Sequence, residues 1–184
     1  MTAKLLSDKE VLRLAGNGAK VVLYPDIAKY DDIDDLFGNY NKILLLYVNQ
    51  TDSQSITGHW VCLLRNRRNG KLIYEVSDSY GKEIDGHLDN FPKEYRDSLG
   101  QSKNFLTRLL YKKLKNSNNS EVHYNQIGLQ NKKPNIATCG RFAGVRARFS
   151  DIPLEKYQQY FRELRNKGYD LDKVIVNISN KLLN

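Results

Sequence analysis

Two short segments carry the residue types needed for nucleophilic chemistry. Ala137-Thr138-Cys139-Gly140-Arg141-Phe142 places a thiol where a helix should begin, and Gly58-His59-Trp60-Val61 places an imidazole where a strand should begin. Only a thiolate attacks, and a nearby imidazole can take the thiol's proton, so the two segments hold the parts of a cysteine nucleophile and its base. With Thr138 as N-cap, Cys139 sits in the first helical turn. Free backbone N–H groups and the helix dipole lower a thiol pKa there, and the same N–H groups can hold a developing oxyanion. An isolated cysteine is more commonly buried packing. Cys62 fits that description, because it alternates with Trp60 and Leu64 on the strand face away from His59.

A carboxylate is within reach of the imidazole. Residues 59–66 and 71–78 read as the arms of a hairpin, with Arg67-Arg68-Asn69-Gly70 as its turn. If the turn is centred on Arg68-Asn69, His59 faces Asp78 directly, with Cβ atoms about 4.5–5.5 Å apart. If Asn69-Gly70 is the two-residue turn, Asp78 stays on the same face, one diagonal step away. Only an odd-length loop would separate them. Asp78 would orient the ring and favour its protonated form. Gln130, in the loop before Cys139, could donate its amide to an oxyanion; Gln126, Asn131 and Asn135 compete on spacing alone.

The elements that must position these groups are readable in part. Ser7-Asp8-Lys9-Glu10 has the form of a capping box before Val11 and Leu14, with Gly16 closing a short helix. Residues 21–24 read as a short extended piece ended by Pro25, 30–37 as a short helix, 42–48 as a buried strand and 49–58 as a polar loop. Around Pro92 the chain reads as loop with at most a short helix. Residues 102–114 read as a helix with Leu106, Leu110 and Leu114 on one face, and 122–126 as a strand. A loop at 132–135 precedes a helix over 138–149. That helix has an apolar line of Phe142, Val145 and Phe149, and a small-residue face of Gly140, Ala143, Gly144 and Ala147 that calls for a close neighbour. Helices at 154–167 and 170–183 follow, parted by Gly168. Strands set among helices without βαβ alternation predict one α+β domain over residues 1–184.

Composition narrows the classes. The 184 residues carry a net charge of +8, a balance drawn to polyanions. Arg108, Lys112 and Lys115 make a basic stripe on one helix and a candidate for nucleic-acid contact; Lys132 and Lys133 lie near Cys139 in sequence. The longest apolar run, 43–48, is strand-sized, and no secretory leader pattern is present, so a protein without a membrane partner is expected. Two cysteines are too few for a disulfide framework, and His59, His87 and His123 are scattered, so no metal site is expected.

In order, His59-Trp60, the hairpin ending in Asp78-Ser79-Tyr80-Gly81, Gln130, and Pro134-Asn135-Ile136-Ala137-Thr138-Cys139-Gly140-Arg141-Phe142 resemble the pattern of the adenovirus maturation proteinase (adenain). The SUMO and other ubiquitin-like-protein proteases share that pattern. Within this clan the chain looks closest to the maturation proteases of virophages and Maverick/Polinton elements, of the Mavirus type.

The resemblance implies a fold papain-like in the broad sense: a central mixed sheet packed by helices. It implies Cys139 as nucleophile, His59 as general base and then acid, and Asp78 as orienting carboxylate. Gln130 and the Cys139 backbone N–H would form the oxyanion hole, with Trp60 and Gly140 lining the substrate site beside them. The implied activity is a cysteine endopeptidase that processes viral capsid or core precursors after small, Gly-type residues, in the virion and in the cytoplasmic virus factory of the host cell. A monomer is expected. No cofactor is required, and a DNA or peptide activator fits the basic charge; a disulfide-linked activator does not, because Cys62 reads as buried. The competing readings are a SUMO-type protease, an acyltransferase of the same clan and, in another class, a non-enzymatic basic protein that packages nucleic acid.

Overall fold

The computed structural model describes residues 5–51, 56–131 and 137–184. Five strands form one mixed sheet in the order β1-β2-β3-β4-β5: β1 Ala19–Leu23, β2 Lys42–Thr51, β3 Ile56–Arg68, β4 Lys71–Asp78 and β5 Ser120–Tyr124. The central pairs β2–β3 and β3–β4 are antiparallel, while β1 and β5 join the edges in parallel. Parallel neighbours need crossovers. The β1–β2 crossover carries a 3-10 turn at Tyr24–Lys29 and helix α2 (Ile33–Phe37). The β4–β5 crossover carries a 3-10 turn at Gly86–Asn90 and helices α3 (Lys93–Ser98) and α4 (Phe105–Asn116).

Both crossovers cover the same sheet face. Ile27, Leu36, Phe37, Leu106 and Leu109 pack there against Ile43, Leu45, Val61, Leu63, Tyr74 and Val76. The opposite face, built from Leu44, Leu46, Trp60, Cys62 and Leu64, is covered by α1 (Asp8–Ala15) and α5 (Cys139–Arg148). Helices α6 (Leu154–Asn166) and α7 (Leu171–Leu183) pack outside α5 through Phe142, Val145, Phe161 and Ile175. The α+β architecture with a mixed sheet packed by helices is thus as the sequence predicts.

Local signals explain several elements. The Ser7 hydroxyl accepts the Glu10 N–H and the Glu10 carboxylate accepts the Ser7 N–H, a complete capping box that starts α1. The small-residue face of α5 is where α1 seats: a Cβ on Gly144 would lie 2.8 Å from Leu14 Cδ2, and one on Gly140 3.1 Å from both Val11 Cγ2 and Trp60 Cδ1. Asn69 and Gly70 both have positive φ, 50° and 78°, so the β3–β4 hairpin closes through a two-residue turn of type I′.

That turn corrects the first of the two registers. Arg68 pairs with Lys71 and Val61 with Asp78, so His59 is diagonal to Asp78 rather than opposite it. The polar loop expected at 49–58 is overrun from both ends: β2 continues to Thr51, with a bulge between Val48 and Gln50, and β3 begins at Ile56, while 52–55 fall outside the described residues. The fifth strand ends at Tyr124, leaving Gln126 outside it. The predicted helix at 102–114 begins later and runs further, as α4; its buried line is Leu106, Leu109 and Leu110, and Leu114 faces solvent. Phe149 also points outward, just past the end of α5. The loop expected at 132–135, with Lys132, Lys133 and Asn135, falls outside the described residues.

Candidate active site

The site lies where β4 stops. His59 and Asp78 project from the sheet face covered by the crossovers, whereas Cys139 opens α5 on the other face. They meet because the sheet ends between them. The type I′ turn makes Arg68–Lys71 a hydrogen-bonded pair, so every second residue back along β3 aims its N–H at β4. Trp60 is next in that series, past the last residue of β4, and its N–H is turned to the Cys139 sulfur, whose pKa it lowers.

His59 Nε2 lies 2.8 Å from Asp78 Oδ1 with both side chains buried. The same ring and the Cys139 thiol act on each other's pKa, and with Nε2 engaged by Asp78 the nitrogen left to serve the thiol is Nδ1. Three groups therefore stand in line: thiol, imidazole, carboxylate. Asp78 is fixed in turn. Its Oδ1 also accepts the Tyr80 N–H at 2.8 Å, and its backbone N–H and C=O form a two-way pair with the Asn125 carboxamide at 2.7 and 2.6 Å.

The electrostatics follow from these contacts. Burial alone would lower the His59 pKa, but the hydrogen bonds to Asp78 and Cys139 and their negative charges outweigh it and raise it to about 9. Burial alone would raise the Cys139 thiol; the hydrogen bond and charge of His59, then the N–H groups of Trp60 and Gly140, bring it below its ordinary value. Asp78 likewise goes below the usual carboxylate value, against burial, because it faces His59. Both shifts favour the thiolate–imidazolium form of the pair over the neutral one. Cys62, fully buried among apolar side chains, is pushed the other way by burial and then by the charge of Glu75, so its thiol stays protonated.

The remaining expected site residues are placed as follows. Gln130 is buried against the Ser79-Tyr80 turn. Its Oε1 accepts the Ser79 hydroxyl at 2.7 Å, its backbone N–H bonds the Ser79 carbonyl at 2.9 Å, and its Nε2 is 3.5 Å from the Tyr80 hydroxyl. With its oxygen held by Ser79, the amide turns its NH2 end to the Tyr80 hydroxyl. The Trp60 indole, expected beside His59, lies on the opposite sheet face, buried under Gly140; what Trp60 brings to the site is its N–H. Thr138 stands at the N-cap position but does not cap. Its hydroxyl donates to the buried Asp172 of α7, so the start of α5 is tied to the C-terminal helix instead. Arg108, Lys112 and Lys115 lie on α4, away from this group. Arg108 and Lys112 bond the carbonyls of Tyr30 and Asp31 at 2.9 and 2.8 Å, which ties α4 to the β1–β2 crossover.

Sequence reasoning noted His87 only as a scattered histidine and gave it no part in the site. Its ring stacks on His59 at 4.6 Å, while Tyr80, noted before only as part of a turn, stacks on the other face at 4.8 Å. The roles of Asn125 and Ser79 were also unseen. All four reach the site through the β4–β5 crossover or the segment after β5, and no local spacing encodes that. Among the described residues no cluster of His, Cys, Asp and Glu could hold a metal ion, and no helix is long and apolar enough to cross a membrane.

No family model matches the chain. Over 159 residues, 86% of this chain and 84% of the relative, it is 30% identical to "Uncharacterized protein V9" of Sputnik virophage.

Proposed function

This chain belongs to the same family as protein V9 of Sputnik virophage, and we propose that it is a virophage cysteine endopeptidase of the adenain type that processes capsid or core precursors as particles mature. One observation carries the reading: the buried line of Cys139, His59 and Asp78, with the thiol shifted down and the imidazole up. A structural cysteine needs no such line, and Cys62 has none.

The geometry supports acyl transfer. The Cys139 thiolate attacks the scissile carbonyl carbon, and the carbonyl electrons move onto oxygen. The oxyanion is held by the backbone N–H of Cys139 and the NH2 of Gln130. His59, protonated at Nδ1, gives that proton to the departing amine, and the tetrahedral centre collapses to a thioester. Neutral His59 then takes a proton from water, which attacks the thioester, releases the acid and restores the thiolate–imidazolium pair. Asp78 keeps Nε2–H donated throughout, so Nδ1 is the nitrogen that shuttles. The substrates are viral precursor proteins cut after small residues, the place of action is the virus factory and the virion, and the working form is a monomer. A DNA activator would find Lys115 on α4, because Arg108 and Lys112 are occupied by carbonyls.

The test is incubation of purified precursors with the protein and with a Cys139→Ala variant, followed by mass spectrometry of the products. The expected result is discrete cleavage by the parent alone. SUMO and ubiquitin fusions run in parallel separate this substrate class from modifier removal; cleavage of those fusions with precursors left intact would transfer the activity to the other class.

A further inference from the structure

A general base with both ring nitrogens in use must keep its plane. In His59, rotation about Cβ–Cγ would take Nε2 off Asp78 and Nδ1 off Cys139 together. The bond to Asp78 pins one atom and leaves the ring able to swing about it. What blocks the swing is a pair of rings: Tyr80 at 4.8 Å with 16° between planes, and His87 at 4.6 Å with 21°.

We propose that His87 is a positioning residue for the general base: with Tyr80 on the other side, it clamps the His59 ring in the plane that joins Asp78 to Cys139. This rests on the reading of His59 as the base of a cysteine endopeptidase. His87 is built for the task. Its Nε2 is 2.9 Å from the carboxamide oxygen of Asn49, an acceptor, so Nε2 carries the proton. Its Nδ1 is 3.3 Å from the amide nitrogen of Asn90, a donor, so Nδ1 accepts. One neutral tautomer satisfies both bonds and no second proton fits. Tyr47 packs at 5.5 Å and Phe91 meets the ring edge-on at 5.8 Å.

The turn beneath His87 is held as well. Asp85 is buried in the left-handed region, φ 64°, and its carboxylate accepts the Tyr47 hydroxyl and the Thr107 N–H, both at 2.8 Å. The titratable and charged groups facing His87 are His59 from β3, Tyr47 from β2, Asp78 from β4 and Lys82 from the turn that follows β4. Burial and then the positive charges of His59 and Lys82 push its pKa down to about 3, against Asp78. Neutrality matters here. A neutral ring offers its π face to the His59 imidazolium, whereas a second cation at that distance would repel it.

NMR of the histidine rings in the intact protein tests the clamp without any substrate. His87 should stay neutral, protonated at Nε2, across the neutral range while His59 titrates at about 9; a His87 that titrates near an ordinary histidine value overturns the proposal. In His87→Ala, the His59 titration should fall by about half a unit or more, and kcat for peptide cleavage should drop with KM held. In His87→Phe, which keeps a ring and loses the bonds to Asn49 and Asn90, both readings should stay near the parent. A folded His87→Ala with parental His59 titration and kcat overturns the proposal. If that variant does not fold, His87→Phe decides: parental values support the stack, and a lowered His59 titration overturns it. Failure of the parent to cut any peptide would sink the protease reading and leave these ring measurements to judge the clamp separately.

Discussion

Strand β4 carries two buried acid–base pairs three residues apart, and they face opposite sides of the sheet. Asp78 meets His59 on one face; Glu75 meets Arg146 of α5 on the other, with both carboxylate oxygens bonded at 2.6 and 2.8 Å. Both pairs are shut from water. They differ in what else the cation does. Arg146 spends two more donors on the carbonyls of Phe149 and Ile152, each at 2.7 Å, and lies over the Tyr157 ring, so each of its three nitrogens is committed. His59 commits one nitrogen to Asp78 and keeps the other on a thiol. A guanidinium cannot give up its proton in a protein, whereas an imidazole can. The Glu75–Arg146 pair fixes where α5 sits; the Asp78–His59 pair governs what its first residue can do. Burial of an ion pair is common to architecture and chemistry, and the nitrogen turned to a thiol separates them.

Breaking the chemical side should give the largest effect. Cys139→Ala should cut peptide cleavage at least about a thousandfold and leave urea unfolding close to the parent, with Cys62→Ala as the control that keeps activity; cleavage by Cys139→Ala at the parental rate would end the contrast. Breaking the architectural side comes next. Arg146→Met leaves Glu75 buried without its cation and should cost about 3–5 kcal/mol in urea denaturation. The double change with Glu75→Leu should recover much of that, and molecules still folded should keep parental kcat. Asp78→Asn should lower kcat about a hundredfold or more. Its kcat/KM profile should lose the alkaline limb near 9 and show one closer to the ordinary histidine value, since Asp78 is a main cause of the raised His59 pKa.

The smallest effect is in stability against pH. His59 has a raised folded pKa, so its contribution is full below the unfolded value of about 6.5 and is lost as pH rises through about 9. Cys139 is lowered, so its contribution grows with pH up to the unfolded thiol value. The two slopes oppose, because the pair passes one proton internally. Denaturation midpoints of the parent should therefore change little from neutral to about 9, while Cys139→Ala, which keeps the His59–Asp78 half, should lose stability over that window. A parent that falls as steeply as the variant would mean that the thiol is not ionised.

What could be read from the chain alone was local. The Ser7–Glu10 box, the β3–β4 hairpin, the buried run of β2 and the small-residue face of α5 each announce themselves within a few residues. The hairpin put Asp78 on the face of His59 under either even register, which is why that pair was legible although the register was not. Cys139 could be placed at a helix start, yet the actual use of Thr138 depends on Asp172, 34 residues further on. Arg146 and Glu75 escaped notice because a charged residue on an amphipathic helix ordinarily faces water, and their pairing spans 71 residues. His87 escaped for the same reason: only the folded crossover between two parallel strands lays it on His59.

The seating of the site across the end of the sheet has a consequence for biogenesis. His59 and Asp78 belong to one hairpin and can pair early, because the loop between them is short. The thiol arrives on α5, which seats against β3 and α1, a longer-range closure and so a slower one. On the protease reading proposed above, a chain whose α5 has not yet seated carries an ordinary, sluggish thiol that sharpens when the helix docks. Pulsed alkylation during refolding would read this directly: fast-reacting Cys139 should appear with the final phase, and its appearance alongside the hairpin would refute the order.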